Sequence, residues 1–311
     1  MQKLLTGLQP SGALHIGNYF GALKPFVELA YEYESTLMIA DYHALTSLRN
    51  PRELRQNIVS VAKDYIAAGI DPQKSIIFKQ SDVPEHTELA WIFQCLVTVP
   101  FLERSHAYKD KVAKGLEANA GLFAYPMLMA ADILLYDTDV VPVGEDQRQH
   151  VEYARDIAAK FNNAYGETFK PPKEHVLKGV AVVPGIDGKK MSKSYGNTIP
   201  LFGTKDEIAK AVMSIITDSK AESPENVYAI HALLKERDDL SELYKDNKGK
   251  YKVLKEALIE DIEALVAPMR SLRDSISDAD AKAVLKEGSE KARARASSKM
   301  ADVRKKIGVS L

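Results

Sequence analysis

Apolar positions in this chain follow two different periods. Short continuous runs read as buried strands: Leu4-Leu5-Thr6-Gly7-Leu8, Thr36-Leu37-Met38-Ile39-Ala40, Ser75-Ile76-Ile77-Phe78-Lys79, Asp139-Val140-Val141-Pro142-Val143 and Val180-Ala181-Val182-Val183. Between them the spacing becomes helical. Leu14, Tyr19, Leu23, Phe26, Val27 and Ala30 make one such stretch. A second runs from Pro51 to Ala68, with proline at its start and Gly69 and Asp71-Pro72 at its end. A third is opened by Pro84 and carries Leu89, Ile92, Phe93, Leu96 and Val97 on one face. Strands and helices in alternation predict an α/β fold, a parallel sheet with helices on both faces. Right-handed crossovers then bring the carboxyl ends of the strands to one edge, where ligands bind. Gln9, Asp41, His43, Asp82 and Gly144 follow strand ends and are candidates for one cleft.

Two regions depart from the alternation. Residues 101–123 hold Glu103, Arg104, His106, Lys109, Asp110, Lys111 and Lys114, and read as an insertion between the halves of the sheet. From about Thr204 the pattern is helical throughout: Asp206 to Thr217, Pro224 to Glu236 and Lys250 to Met269. The expected organisation is therefore a domain over 1–200 and a smaller helical domain over 201–311, with a hinge across Gly196 to Gly203.

One interior run is apolar almost all round: Tyr125-Pro126-Met127-Leu128-Met129-Ala130-Ala131-Asp132-Ile133-Leu134-Leu135-Tyr136. It predicts a buried helix with a carboxylate in its middle. A buried carboxylate without a donor is costly. The donor for Asp132 is either a neighbouring protein group, such as a backbone N–H or an arginine, or a bound ligand. Met129, three residues earlier, shares its helix face.

Composition narrows the setting. Of 311 residues, 45% are hydrophobic and 27% charged, ordinary for a globular chain with a large core. No segment is long and apolar enough to span a membrane, and the N-terminus has no secretory pattern, so a cytoplasmic protein is expected. The single cysteine excludes an internal disulfide and a Cys-rich metal site; Cys95, in an apolar run, is expected to be a core thiol. A net charge of −1 argues against DNA or indiscriminate nucleic-acid binding, so any RNA contact must be local. The last 22 residues carry Lys291, Arg293, Arg295, Lys299, Arg304, Lys305 and Lys306 against Glu290 and Asp302. That run is either an RNA-contacting surface or a solvated helix.

Two short stretches carry the candidate chemistry. Pro10-Ser11-Gly12-Ala13-Leu14-His15-Ile16-Gly17-Asn18 sits between the first strand and a helix start, whose free N–H groups favour anions. His15 and Asn18 share one face of the first turn. Gly188-Lys189-Lys190-Met191-Ser192-Lys193-Ser194-Tyr195-Gly196-Asn197 has glycines near both ends and three lysines. It suits a loop that closes cations over a polyphosphate.

His15-Ile16-Gly17-Asn18 and Lys190-Met191-Ser192-Lys193-Ser194 together resemble the HIGH and KMSKS motifs of class I aminoacyl-tRNA synthetases. Asn18 departs from the final His of HIGH. With Gly7-Leu8-Gln9-Pro10-Ser11-Gly12 it resembles the bacterial-type tryptophanyl branch, over almost the whole chain. The resemblance implies a Rossmann-like, doubly wound catalytic domain and a helical domain that reads the anticodon region of tRNA(Trp). It implies a homodimer, with residues 101–123 near the interface and Lys109 or Lys111 in reach of pyrophosphate. It implies ATP and Mg2+, with no metal held by protein groups. His15, Asn18, Lys190 and Lys193 would stabilise charge on the phosphates. Gln9, Pro10, Ser11, Gly17, Gly144, Glu145, Asp146, Val182, Met191, Ser192 and Ser194 would complete the ATP site. L-tryptophan would lie on Asp132, Met129, Tyr125, Gln147 and His43, with Asp132 accepting the indole N–H. Phenylalanine offers no such donor. Tyrosine does, so a tyrosyl enzyme of the same subclass is the nearest alternative; Met129 argues for tryptophan. A small-molecule nucleotidyltransferase and a non-catalytic tRNA-binding paralogue are more distant alternatives. The long helical C-terminal region and the intact lysines weigh against them.

Overall fold

The computed structural model describes residues 1–113, 115, 117–143, 148–176, 183–217 and 224–310. In chain order the strands are β1 (Lys3–Leu8), β2 (Glu34–Ile39), β3 (Ile76–Lys79), β4 (Val140–Val143) and β5 (Lys173–Val176). The helices are α1 (Ile16–Asn18), α2 (Lys24–Ala30), α3 (Asp41–Ala44), α4 (Pro51–Ala67), α5 (Glu85–Gln94), α6 (Val99–Leu102), α7 (His106–Ala113), α8 (Ala120–Leu134), α9 (Arg148–Tyr165), α10 (Lys205–Met213), α11 (Glu225–His231), α12 (Arg237–Asp246), α13 (Tyr251–Ser275) and α14 (Asp278–Lys306). A π-helical turn, Tyr19–Leu23, joins α1 to α2.

The strands form one parallel sheet in the order β3-β2-β1-β4-β5. The chain leaves β1 toward β2 on one side and later reaches β4 on the other, so the switch point lies between β1 and β4. Ligands of open α/β sheets bind outside the strand ends at that point. Strands β1 to β4 bury both faces. Leu4, Leu37 and Ile77 join a core with α2, α4, α10 and α13, while their neighbours Leu5, Met38 and Phe78 join a core with α5, α8 and α9. The period-2 reversal of side chains makes the strands read as unbroken apolar runs.

The expected fifth strand falls almost wholly outside the described residues. Of the run Val180–Val183, only Val183 is among the described residues, and it takes no strand conformation. The observed strand is the Lys173–Val176 segment, at the sheet's outer edge beside β4. An edge strand is half solvated, so its polar sequence, Lys-Glu-His-Val, gave no two-faced apolar signal. The insertion at 101–123 consists of α6, α7 and the start of α8. Cys95 is exposed at the end of α5, not a core thiol.

Helix α14 ties the helical region to the sheet. Its buried stripe begins with Ala281 and Leu285 in the first core and continues with Ala292, Ala296, Met300 and Val303 in the second. The helix crosses the free edge of β3 between them, at Gly288. A Cβ there would lie 1.9 Å from the Ile77 carbonyl oxygen. Covering an edge strand removes a template for unwanted pairing. Three basic residues of this helix are held by ion pairs to distant segments. Arg295 pairs with Glu34 at 2.5 Å, Lys299 with Asp137 at 2.5 Å and Arg304 with Glu88 at 2.5 Å.

Candidate functional site

The loop after β1 turns at Gly12, whose φ of 105° only glycine adopts without strain. His15 then caps α1. Its Nδ1 accepts the Asn18 N–H at 3.2 Å, and Asn18 Oδ1 accepts the His15 N–H at 3.1 Å. This reciprocal cap fixes the imidazole. With Nδ1 accepting, neutral His15 carries its proton on Nε2. Burial, helped by the charge of Lys193, lowers its pKa to about 4. The ring is therefore a neutral donor at physiological pH.

The lysine-rich stretch begins as a tight hairpin. Met191 N–H donates to the Val183 carbonyl at 2.8 Å, and Gly185 N–H to the Lys189 carbonyl at 2.6 Å. Asn197 pins it from inside. It is buried, its Oδ1 accepts the Ser192 N–H at 2.8 Å, and its Nδ2 donates to Asp187 at 2.7 Å and to the Lys190 carbonyl at 3.1 Å. Gly185 permits this approach, since a Cβ there would stand 2.4 Å from the Asn197 amide. Sequence reasoning missed Asn197 as a pin; the Gly-Asn pair after Tyr195 was the available signal.

The fold brings the two stretches into contact. Gly17 N–H points at Met191 Sδ, 3.3 Å away. Lys193 Nζ donates to the carbonyls of Gly12 at 2.9 Å and Ser11 at 3.3 Å. The Ile16 N–H bonds the Ile199 carbonyl and the Leu201 N–H bonds the Leu14 carbonyl, both at 3.0 Å. The segment expected to be a hinge, 196–203, is thus laced to the first motif. Ser11, Gly12, His15, Gly17 and Asn18 lie around Met191 and Lys193, with Gln9 exposed and Pro10 buried just before them. Lys190 is exposed on the hairpin, and Ser192 and Ser194 share a hydroxyl contact of 2.9 Å. Lys109 and Lys111 stand on α7, which packs on α8. Gly144, Glu145, Asp146, Gln147 and Val182 lie outside the described residues.

The second constellation centres on Asp132, which is 2% exposed. Its donors are protein side chains, two histidines and a glutamine, where the sequence left a backbone N–H, an arginine or a ligand open. Gln80 Nε2 at 2.8 Å and His86 Nδ1 at 2.6 Å meet Oδ1, and His43 Nε2 at 2.8 Å meets Oδ2. Gln80 Oε1 accepts the Tyr42 N–H at 3.2 Å, and the Tyr136 hydroxyl lies 2.7 Å from His86 Nε2. Burial raises the Asp132 pKa, but the hydrogen bonds and charges of the two histidines outweigh it and hold the carboxyl down, at about 2. A carboxylate offers about four acceptor positions, so one on Oδ2 remains. Gln80, His86 and Tyr136 were not singled out from the sequence. They come from three separate segments, and nothing local marks them.

His43 also lines a cavity of about 590 Å³ with Tyr42, Thr46, Tyr125 and Leu128. Tyr125 bonds His150 through its hydroxyl at 2.8 Å and meets the His43 ring edge-on. Met129 is half-buried, on the Asp132 side of α8. Two groups thus stand near one edge of the sheet: a cationic, donor-rich junction suited to phosphates, and an apolar interior with one buried acceptor.

Residues 1–287 match the family described as tRNA synthetases class I (W and Y). The chain is 48% identical to the tryptophan–tRNA ligase of Fusobacterium nucleatum subsp. nucleatum, over 99% of this chain and 98% of that one. It is 46% identical to that of Campylobacter jejuni, over 99% and 100%. The solved structure of tryptophanyl-tRNA synthetase from Campylobacter jejuni complexed with ADP and tryptophan matches with a TM-score of 0.92 at 46% identity, covering 99% of this chain and all of that one. A tyrosyl-tRNA synthetase from Archaeoglobus fulgidus, complexed with L-tyrosine, matches at a TM-score of 0.68 with 20% identity, a likeness of fold alone.

Proposed function

This chain belongs to the class I tRNA synthetases that serve tryptophan and tyrosine, and we infer that within that family it is a tryptophan–tRNA ligase. The tyrosine alternative is disfavoured, because the relatives that match over the full length at 46–48% identity are tryptophan enzymes. The observation that carries the chemistry is the junction of the two motifs, where Lys193 Nζ sits 2.9 Å from the Gly12 carbonyl.

ATP is the energy source. In the first step the tryptophan carboxylate oxygen attacks the α-phosphorus, a new P–O bond forms, and the bond to the leaving pyrophosphate breaks. Such transfer depends mainly on positioning and charge stabilisation. In the proposed arrangement His15 Nε2–H donates to phosphate oxygens, and Asn18, Gln9 and Ser11 line the same cradle. Lys193 exchanges its two carbonyl partners for phosphate oxygens, with Lys190 beside it. Gly144, Asp146 and Val182 would meet the nucleoside, with Glu145 in the same loop. Mg2+ arrives on the ATP phosphates; the cradle's own side chains, His15, Asn18, Ser11 and the lysines, are donors rather than carboxylate ligands. In the second step the terminal ribose 2′-hydroxyl of tRNA attacks the adenylate carbonyl, and AMP leaves.

The remaining acceptor position on Asp132 is proposed to take the indole N–H, with Met129 against the ring and Tyr125 and Gln147 at the ammonium. The helical region after residue 200 is proposed to read the anticodon end of the tRNA. A homodimer is proposed through the face that exposes Leu45 and Trp91, the latter 66% exposed on α5. Residues 101–123 lie between α5 and α8 in the same sheet crossover. Among the described residues no helix is long and apolar enough to cross a membrane; a cytoplasmic enzyme is proposed, from the tRNA-charging reading.

The decisive experiment is tryptophan-dependent exchange of labelled pyrophosphate into ATP, with tyrosine as control. Exchange with tryptophan only is expected. Exchange with tyrosine only would keep the chemistry and overturn the reading of Asp132 and Met129; absence of both would remove the synthetase assignment.

A further inference from the structure

A groove of about 830 Å³ runs between α4 and α14. It is lined by seven lysines and arginines and by three acidic residues, on a chain whose net charge is −1. Two of the acids are already paired. Lys63 holds Asp278 at 2.7 Å, and Lys79 holds Asp82 at 2.7 Å. Three cations have no ion pair or hydrogen bond among the described residues: Arg55 on the α4 wall, and Lys282 and Lys286 on the α14 wall. The two lysines are one helical turn apart and so share a face. Cations thus look at the groove from both sides, while Ile58 and Leu285 form part of its lining.

We propose that this groove is a docking track for the phosphodiester backbone of the tRNA, with Arg55, Lys282 and Lys286 each facing a phosphate. The proposal rests on the synthetase reading above and adds a location to it. A nearly neutral protein must bind a polyanion through local clusters. In the C-terminal cluster Arg295, Lys299 and Arg304 are already paired internally, with Glu34, Asp137 and Glu88. The α4–α14 groove keeps three of its seven cations, Arg55, Lys282 and Lys286, without an ion pair among the described residues. Cations on both walls suit a run of backbone phosphates better than a single compact anion, which would meet one wall. Arg273 of α13, also in the lining, grips Asp64 of α4 at 2.5 Å, so a bound backbone would run beside the join of the sheet layer and the helical region.

The test replaces Arg55, Lys282 and Lys286 together by glutamine. Three quantities are read: the tRNA dissociation constant by filter binding, its dependence on salt, and tryptophan-dependent pyrophosphate exchange, which needs no tRNA. The expected result is a loss of tRNA affinity of at least about tenfold, with the slope of log affinity against log salt reduced by about one per cation removed. Exchange stays at the unmodified level. The charge-preserving variant Arg55→Lys, Lys282→Arg, Lys286→Arg restores most of the affinity. Unchanged tRNA affinity and slope would overturn the proposal. So would a parallel loss of exchange, which would assign the groove to the fold. Protection of Lys282 and Lys286 from acetylation by ATP or pyrophosphate, but not by tRNA, would make it a small-anion site instead. Failure of the synthetase reading shows separately, as absence of exchange in the unmodified protein.

Discussion

Met191 Sδ lies 3.3 Å from the Gly17 backbone N–H and joins two motifs that are 174 residues apart in the chain. A thioether is a weak acceptor, so the contact releases easily. Lys193, two residues on, holds the same loop through carbonyls instead of an anion. The junction is therefore built from interactions that a polyphosphate can replace.

Lys193→Ala is expected to cut pyrophosphate exchange by about 10²- to 10³-fold, the scale for losing one charge-stabilising donor in an active site. Tryptophan affinity, measured by equilibrium dialysis, should stay within about twofold. Equal losses in both would remove Lys193 from the charge-stabilising role.

The protonation of His15 should be visible in stability. Its imidazole titrates near 6.5 in the unfolded chain and at about 4 in the fold. Between those values the unfolded state binds more protons, so stability rises with pH across that window and is lost as pH falls toward 4. Denaturant melts at several pH values in this range should show a shallower slope for His15→Asn than for the unmodified chain. Parallel slopes would mean that His15 is not held neutral.

Asp132→Asn places an amide among three donors. The amide oxygen can keep Gln80 and His86, but the N–H₂ then faces His43 Nε2 and forces that ring to turn from donor to acceptor. Loss of the interior pairing should cost about 3–5 kcal/mol of stability. Tryptophan affinity and the tryptophan-over-tyrosine ratio in exchange should both fall. Destabilisation with unchanged tryptophan affinity would leave Asp132 a structural anchor without an indole contact.

Gly288→Ala drives a methyl group into the Ile77 carbonyl. Helix α14 must lift from the edge of β3, and overpacking of this kind costs about 1–3 kcal/mol. Thermal melts should show the loss, and amide exchange in β3 should accelerate. An unchanged melting temperature would mean that α14 does not bear on this strand.

Four of the five strands, α4, the interior helix α8 and both motifs were legible in the sequence. Their signals are local: an apolar run buried on both faces, a proline at a helix start, a glycine-flanked lysine cluster. The fifth strand was not, because an edge strand needs no second apolar face. The exposure of Cys95 was not either, because an apolar neighbourhood in sequence does not say which side of α5 meets solvent. The same limit applied to the C-terminal basic residues. Their charge is plain in the sequence, but Glu34, Glu88 and Asp137, which pair with it, are distant in the chain.

By itself, then, the amino-acid sequence determined the fold class, the two stretches proposed to handle phosphate and the need for some donor at Asp132. These follow from periodicity, backbone preference and desolvation cost, each of which acts within a few residues. Only the tertiary structure decided that the donors are Gln80, His86 and His43, that Asn197 pins the lysine loop, that α14 crosses the sheet edge at Gly288, and which cations remain unpaired. Those facts depend on groups that become neighbours only when β1 to β3 align their carboxyl ends and α14 packs back over them. Contacts between distant segments leave no periodic trace along the chain.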